Sequence, residues 1–216
     1  MSTPEAEAEL RQCWQRLASG AHEFTLQQVV ARYAEPHRRY HTAVHVMWVL
    51  RHIDDLLPSE PGVEDADAVR AAGLFHDIVY DPRSSTNERD SAAIAIETLG
   101  DLGWSSNRLV AVRDLIAATV HHEATSAGSR VLNDADLAVL GAAPRAYRAY
   151  ADSVRAEYGH VADTAWREGR SAVLRAFLAR DRIFATDAMW HQRERRARAN
   201  LAAELAGLGE LVGPGE

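Results

Sequence analysis

The residues able to do chemistry gather at a few points: Tyr40-His41-x-x-x-His45, the adjacent pair His76-Asp77, His121-His122, and Asp134-x-Asp136. The pair His76-Asp77 closes an apolar run, Ala71-Ala72-Gly73-Leu74-Phe75, which reads as a buried helix. Desolvating a carboxylate there is costly unless it is paired or binds a cation. Neutral imidazole beside carboxylate suits a borderline or hard divalent ion. Alone the dipeptide says little, since ten His and fifteen Asp in 216 residues give about 0.7 such pairs by chance. The weight lies on the set His45, His76, Asp77 and Asp136. Two imidazoles and two carboxylates leave positions open for water and substrate, as a catalytic rather than a structural metal site requires. His41 and His45 stand at i and i+4 and share a helix face. Both can be ligands, or one can bind metal while the other faces a substrate.

Helices must bring these groups together, and almost every segment carries a helical period. Helices are expected over about 5–18 (Leu10, Cys13, Trp14, Leu17, with Gly20 after it) and about 26–34, with Thr25 as N-cap in a capping-box pattern with Gln28. The next follows the stretch Pro36–His45 and runs to about Leu57. Another spans about 65–79 and carries His76 and Asp77. Two more begin at Asn87 and near 106, the second closing on His121-His122-Glu123, where cationic imidazoles would suit a helix C-terminus. A Gly- and Ser-rich loop over 123–131 then leads to Leu132-Asn133-Asp134-Ala135-Asp136, in which Asp134 reads as an N-cap. Three Arg- and Ala-rich helices are expected at about 144–158, 162–180 and 187–206, before a Gly-Pro-Gly tail expected to fray. The fold class is all-α: one helical-bundle domain over 1–216, with a metal-binding core at about 24–142 and C-terminal helices at about 143–206 packing on it.

Composition sets outer bounds. The chain is 47% apolar and 25% charged, as in soluble globular proteins. A net charge of −7 argues against general affinity for nucleic acid or an anionic membrane. There is no lysine, so Schiff-base chemistry has no amine to use. Cys13, the single cysteine, excludes an intramolecular disulfide and reads as a small buried residue. With no signal-like apolar N-terminus and no membrane-length apolar run, a cytoplasmic location is expected.

The order His … His-Asp … Asp resembles the HD superfamily of metal-dependent phosphohydrolases, matched here by His45, His76-Asp77 and Asp136. The words around these residues are similar to those of a bacterial family described as predicted metal-dependent HD phosphohydrolases: Phe75-His76-Asp77-Ile78-Val79-Tyr80-Asp81-Pro82, Asn87-Glu88-x-x-Ser91-Ala92, Asp134-Ala135-Asp136-Leu137-Ala138-Val139-Leu140-Gly141 and Arg155-x-Glu157-Tyr158. The likeness runs over roughly 10–205. It implies a helical HD-type fold and a divalent metal (Mn, Fe, Co, Ni, Zn or Mg) on His45, His76, Asp77 and Asp136. Asp136 is preferred to Asp134 because Ala-Asp-Leu matches the superfamily word.

Tyr-His-x-x-x-His is also similar to the start of the cyclic-nucleotide phosphodiesterase site, which makes His41 the candidate general acid and gives Asp77 a second task, orienting the attacking water. Some relatives have a further His where this chain has Asn87-Glu88, and His121-His122 resembles a His pair some of them add. One metal is therefore expected, with His121, His122 or Glu88 available to a second. Tyr40, Arg155 and Arg170 are candidates for holding substrate, the arginines as phosphate clamps. Glu157 and Glu168 are the alternative ion-pair partners for the arginines on solvated helix faces. The activity implied is hydrolysis of a small phosphorylated compound, a nucleotide foremost. A non-catalytic metal- or nucleotide-binding regulatory module and a di-iron oxygenase of HD type stay open, and the last helix leaves a homodimer open.

Overall fold

A computed structural model describes residues 3–18 and 22–210, the Glu210 side chain apart. Every regular element among them is helical, so the all-α reading holds. The chain divides into two compact units, Met1–Asp136 and Leu137–Glu216. Gly20 and the Gly-Pro-Gly tail lie outside the described residues.

The first unit holds α1 (Pro4–Leu17), α2 (Glu23–Tyr33), α3 (Ala43–Leu56), α4 (Ala66–Phe75), α5 (Asn87–Asp101), α6 (Ser106–Ala117) and α7 (Ala127–Asp136). In α1 the side chains of Ala6, Leu10, Cys13, Trp14 and Leu17 are buried, the one-sided stripe a core-facing helix needs. Thr3 caps it, its hydroxyl accepting from the Ala6 amide, and Pro4 fills the first turn, where its missing N–H does no harm. Burial pushes the Cys13 thiol up to about 12, which keeps it protonated and inert. α3 packs on α1, α4 and α7, and α4 packs also on α6. α4 is buried almost all round, from Ala68 through Phe75 with only Arg70 less covered, so it forms the centre of the unit.

Several boundaries differ from the expected ones. α2 begins at Glu23, not after Thr25. The Leu26 amide donates to the His22 carbonyl, so Thr25 lies inside the first turn and the capping box does not form. α4 ends at Phe75, short of 79, because the Ile78 amide turns back to the Phe75 carbonyl and the Val79 amide goes to the Ser91 hydroxyl. α6 stops at Ala117, where the Thr119 hydroxyl bonds back to the Ile116 carbonyl. The Gly/Ser run expected to be loop starts α7 instead. Ser126 and Ser129 cap each other reciprocally: the Ser126 hydroxyl accepts from the Ser129 amide at 3.1 Å and the Ser129 hydroxyl from the Ser126 amide at 2.8 Å. Asp134 is accordingly no N-cap; it is buried in the last turn of α7.

The second unit opens with a 3-10 turn, Leu137–Gly141, followed by α8 (Pro144–Glu157), α9 (Asp163–Leu178) and α10 (Asp187–Glu210). Asn200 of α10 donates to the carbonyls of Leu140 and Ala142, holding the opening turn. The Glu194 carboxylate accepts the amides of Ile183 and Phe184 and so closes the link between α9 and α10. No described helix is long and apolar enough to cross a membrane.

Candidate metal centre

Three elements of the first unit deliver four donor atoms. α3 presents His45 in its first turn, His76 caps the end of α4 with Asp77 next in the chain, and α7 ends on Asp136. His45 Nε2 lies 3.2 Å from His76 Nε2 and 3.1 Å from Asp136 Oδ1. Asp77 Oδ2 stands 3.1 Å from His76 Nε2 and 3.5 Å from His45 Nε2. The tightest set is His45, His76 and Asp136, whose donor atoms all fall within 4.8 Å of one another; Asp77 joins it through the two imidazoles. Both histidines are buried, and the two carboxylates keep 17% of their side-chain surface. One side of the cluster is therefore open.

The donor set fits a divalent cation. His76 Nδ1 donates to the Gly73 carbonyl at 2.9 Å, so the neutral ring turns its Nε2 lone pair toward His45. Two lone pairs 3.2 Å apart repel unless a proton or a cation lies between them. Electrostatics says the same. Burial works against charge on His76, yet the Asp77 and Asp136 carboxylates overturn it and hold the imidazolium well above its ordinary pKa. Burial likewise opposes charge on His45 and is overcome by Asp136 and Asp77. Desolvation would raise Asp77 and Asp136, but the facing imidazoles, with His122 on Asp136, keep both carboxyls well below the usual range. The pocket is built to hold positive charge between nitrogen and oxygen donors.

Around it the structure places the remaining candidates. His41 precedes α3 and stacks on Tyr80 with ring centroids 4.1 Å apart. The Tyr40 ring lies 4.7 Å from that of His45. His122 sets Nε2 2.9 Å from Asp136 Oδ2, whereas His121 is exposed in the same turn. Glu88 is half-buried in the first turn of α5, and the metal-capable group does not include it. Its neighbour Asn87 is bound to the backbone of Asp81 through both amide atoms, closing the loop at 81–87. Arg155 and Arg170 belong to the second unit and are engaged inside it. Arg155 bonds the carbonyls of Tyr158 and Val161 and the Asp163 carboxylate, and Arg170 forms a two-pronged pair with Glu204. Asp163 and Glu204 are thus carboxylate partners of these two arginines.

One residue that matters to this site was missed in the sequence. Arg38 is fully buried, with its guanidinium stacked between the rings of Tyr33 and Tyr80. It donates to Glu35, to the His41 carbonyl at 2.9 Å, to the Asp77 carbonyl at 2.8 Å and to the Ile78 carbonyl at 3.0 Å. One fork thereby ties the turn before α3 to the turn after α4. The available signal was its place in Pro36–His41, an arginine beside the Tyr-His word.

No curated protein and no solved structure shows a significant match to the chain. Residues 39–163, more than half of the length, match the HD domain, and that stretch contains every residue of the cluster. The chain belongs to the HD domain family.

Proposed function

We propose that this protein is a metal-dependent phosphohydrolase that acts on a small phosphorylated compound, a nucleotide foremost. The observation that carries the reading is the convergence of His45 Nε2, His76 Nε2, Asp77 Oδ2 and Asp136 Oδ1 at one partly open point. Membership of a family made up generally of metal-dependent hydrolases supports it. His45, His76, Asp77 and Asp136 hold the ion. When bound, a divalent ion supplies Lewis acidity, lowering the pKa of water and offsetting phosphoryl charge.

The chain's own groups do the rest. Asp77 keeps part of its surface open, and its carboxylate orients the attacking water. The His41 ring stacks on Tyr80 and its backbone is held by the Arg38 bond to its carbonyl, and it protonates the leaving oxygen as general acid. The Tyr40 ring, beside His41 and His45, bounds the substrate position.

The test is metal analysis of the purified protein beside a His76→Ala/Asp77→Ala variant, followed by phosphate release from a nucleotide panel with Mn, Co and Mg. Near-stoichiometric metal lost in the variant, with phosphate released only by the metal-loaded protein, is expected. A wild-type chain that binds no divalent ion would refute the reading.

A further inference from the structure

His122 has two features that the centre described above does not require. Its backbone is left-handed, at φ 49°, one of two such non-glycine residues among those described. A non-glycine side chain in that region is uncommon and persists where its surroundings hold it. Its Nε2 stands 2.9 Å from Oδ2 of Asp136, while Oδ1 of the same carboxylate faces His45 and His76. The strained turn therefore sets an imidazole on the outer oxygen and leaves the inner one to the cluster.

That geometry has two explanations, a hydrogen bond or a second ion bridged by Asp136. A catalytic ion generally takes about three protein ligands. At the outer oxygen the chain offers two, His122 and Asp136. The converging donors among the described residues are His45, His76 and Asp136, with Asp77 on the two imidazoles, and His122 is not in that group. His121 is exposed and Glu88 stands outside that group. Carboxylate ligands of metals are themselves commonly held by a hydrogen bond to the spare oxygen, which fixes their orientation.

We propose that His122 is a positioning residue, donating from Nε2 to the outer oxygen of Asp136, and that the centre takes one ion. The proposal rests on the metal-centre reading above. Its test is Mn2+ titration calorimetry, with metal analysis, on wild type, His122→Gly and His122→Gln. Glycine accepts the left-handed backbone without strain, so it removes the imidazole alone. Glutamine restores an N–H donor at similar reach.

Wild type is expected to bind one Mn2+. His122→Gly should still bind one, about 10–100-fold more weakly, and His122→Gln should recover most of that loss. Two ions in wild type with one lost in both variants, or unchanged affinity in His122→Gly, would overturn the proposal while leaving the hydrolase reading standing. Loss of native helicity in both metal-free variants by circular dichroism would also overturn it, making His122 a folding residue. A wild type that takes up no Mn2+ would bring down the metal-centre reading itself, and this proposal with it.

Discussion

Gly73 of α4 faces Ile53 of α3 so closely that a Cβ on the glycine would stand 2.5 Å from Ile53 Cδ1. The same Cβ would meet Val49 and Leu50 at 3.5 and 3.6 Å. The missing side chain lets the helix bearing His45 and the helix ending at His76 approach until their Nε2 atoms are 3.2 Å apart. The Gly73 carbonyl also fixes the His76 tautomer.

Gly73→Ala sets two effects against each other. Alanine gains about 1 kcal/mol of helix propensity. Overpacking a filled core costs about 1–3 kcal/mol, and the upper half applies because Ile53 is completely buried, so its Cδ1 can move only by pressing on its neighbours. Urea denaturation should show a net loss of about 1–2 kcal/mol, with weaker Mn2+ binding as α3 and α4 part. A more stable variant with unchanged binding would show that the close approach is incidental.

Arg38→Ala removes the donor from three carbonyls and from Glu35 at once. A buried acceptor left unpaired costs about 1–3 kcal/mol; the Ile78 contact is buried and the other two are partly covered, so a loss of about 1–3 kcal/mol is expected. Arg38→Lys should recover only part of it, because an ammonium keeps the charge but not the planar fork stacked between Tyr33 and Tyr80. Full recovery by lysine in urea denaturation would mean that charge alone matters at this position.

These two residues show what could and could not be read beforehand. His45, His76, Asp77 and Asp136 stood out because a carboxylate or imidazole inside a helical apolar pattern demands a partner. The helices were legible for the same reason, through their periodicity. Arg38 carries no such signal: in a polar stretch an arginine reads as solvated, and only the three-dimensional return of Asp77 and Ile78 buries it. The end of α4 at Phe75 goes with the bond from the Val79 amide to Ser91, twelve residues on, so it was equally hidden. α7 was missed because Gly128 and two serines read as loop. In the fold the serines cap one another, and Gly128 fits against Leu115 and Val69, where a Cβ would come within 3.1–3.2 Å. Pairwise geometry of this kind leaves no trace in local composition.

Asp65 ties helix α4 to pH. Its carboxylate caps the helix through the amides of Asp67 and Ala68 and pairs with Arg108 at 2.6 Å. Burial alone would raise its pKa, but Arg108 and the amides outweigh it and the net shift is downward. A carboxyl with a folded pKa below its unfolded value of about 3.9 contributes stability above that value and loses it as pH falls through the folded one. Asp65→Asn keeps a good cap and loses only a partly exposed ion pair, so at pH 7 it should cost no more than about 1 kcal/mol. Asp65→Ala loses the cap as well, a further 0.5–2 kcal/mol or so, typically about 1. Urea midpoints at pH 7 and pH 3 should show wild type and Asp65→Asn converging in acid. A gap that stays constant with pH would mean the Arg108 pair contributes nothing.

Metal removal should act on one unit of the chain. An ion that binds only the folded cluster stabilises it by about 2.7 kcal/mol at one hundred times its Kd. At about 2–4 °C per kcal/mol for chains of this size, chelation should lower Tm by roughly 5–10 °C. All four donors lie within Met1–Asp136, so a scan that resolves two transitions should show the shift in that unit's transition alone. Two coupled transitions do not define a single stability, which is why the assignment matters more than the mean. His76→Ala supplies the control. With one of two facing imidazoles gone the cluster no longer holds the ion, and its scans with and without chelator should coincide. A chelator shift that persists in His76→Ala would place the stabilising ion elsewhere in the protein.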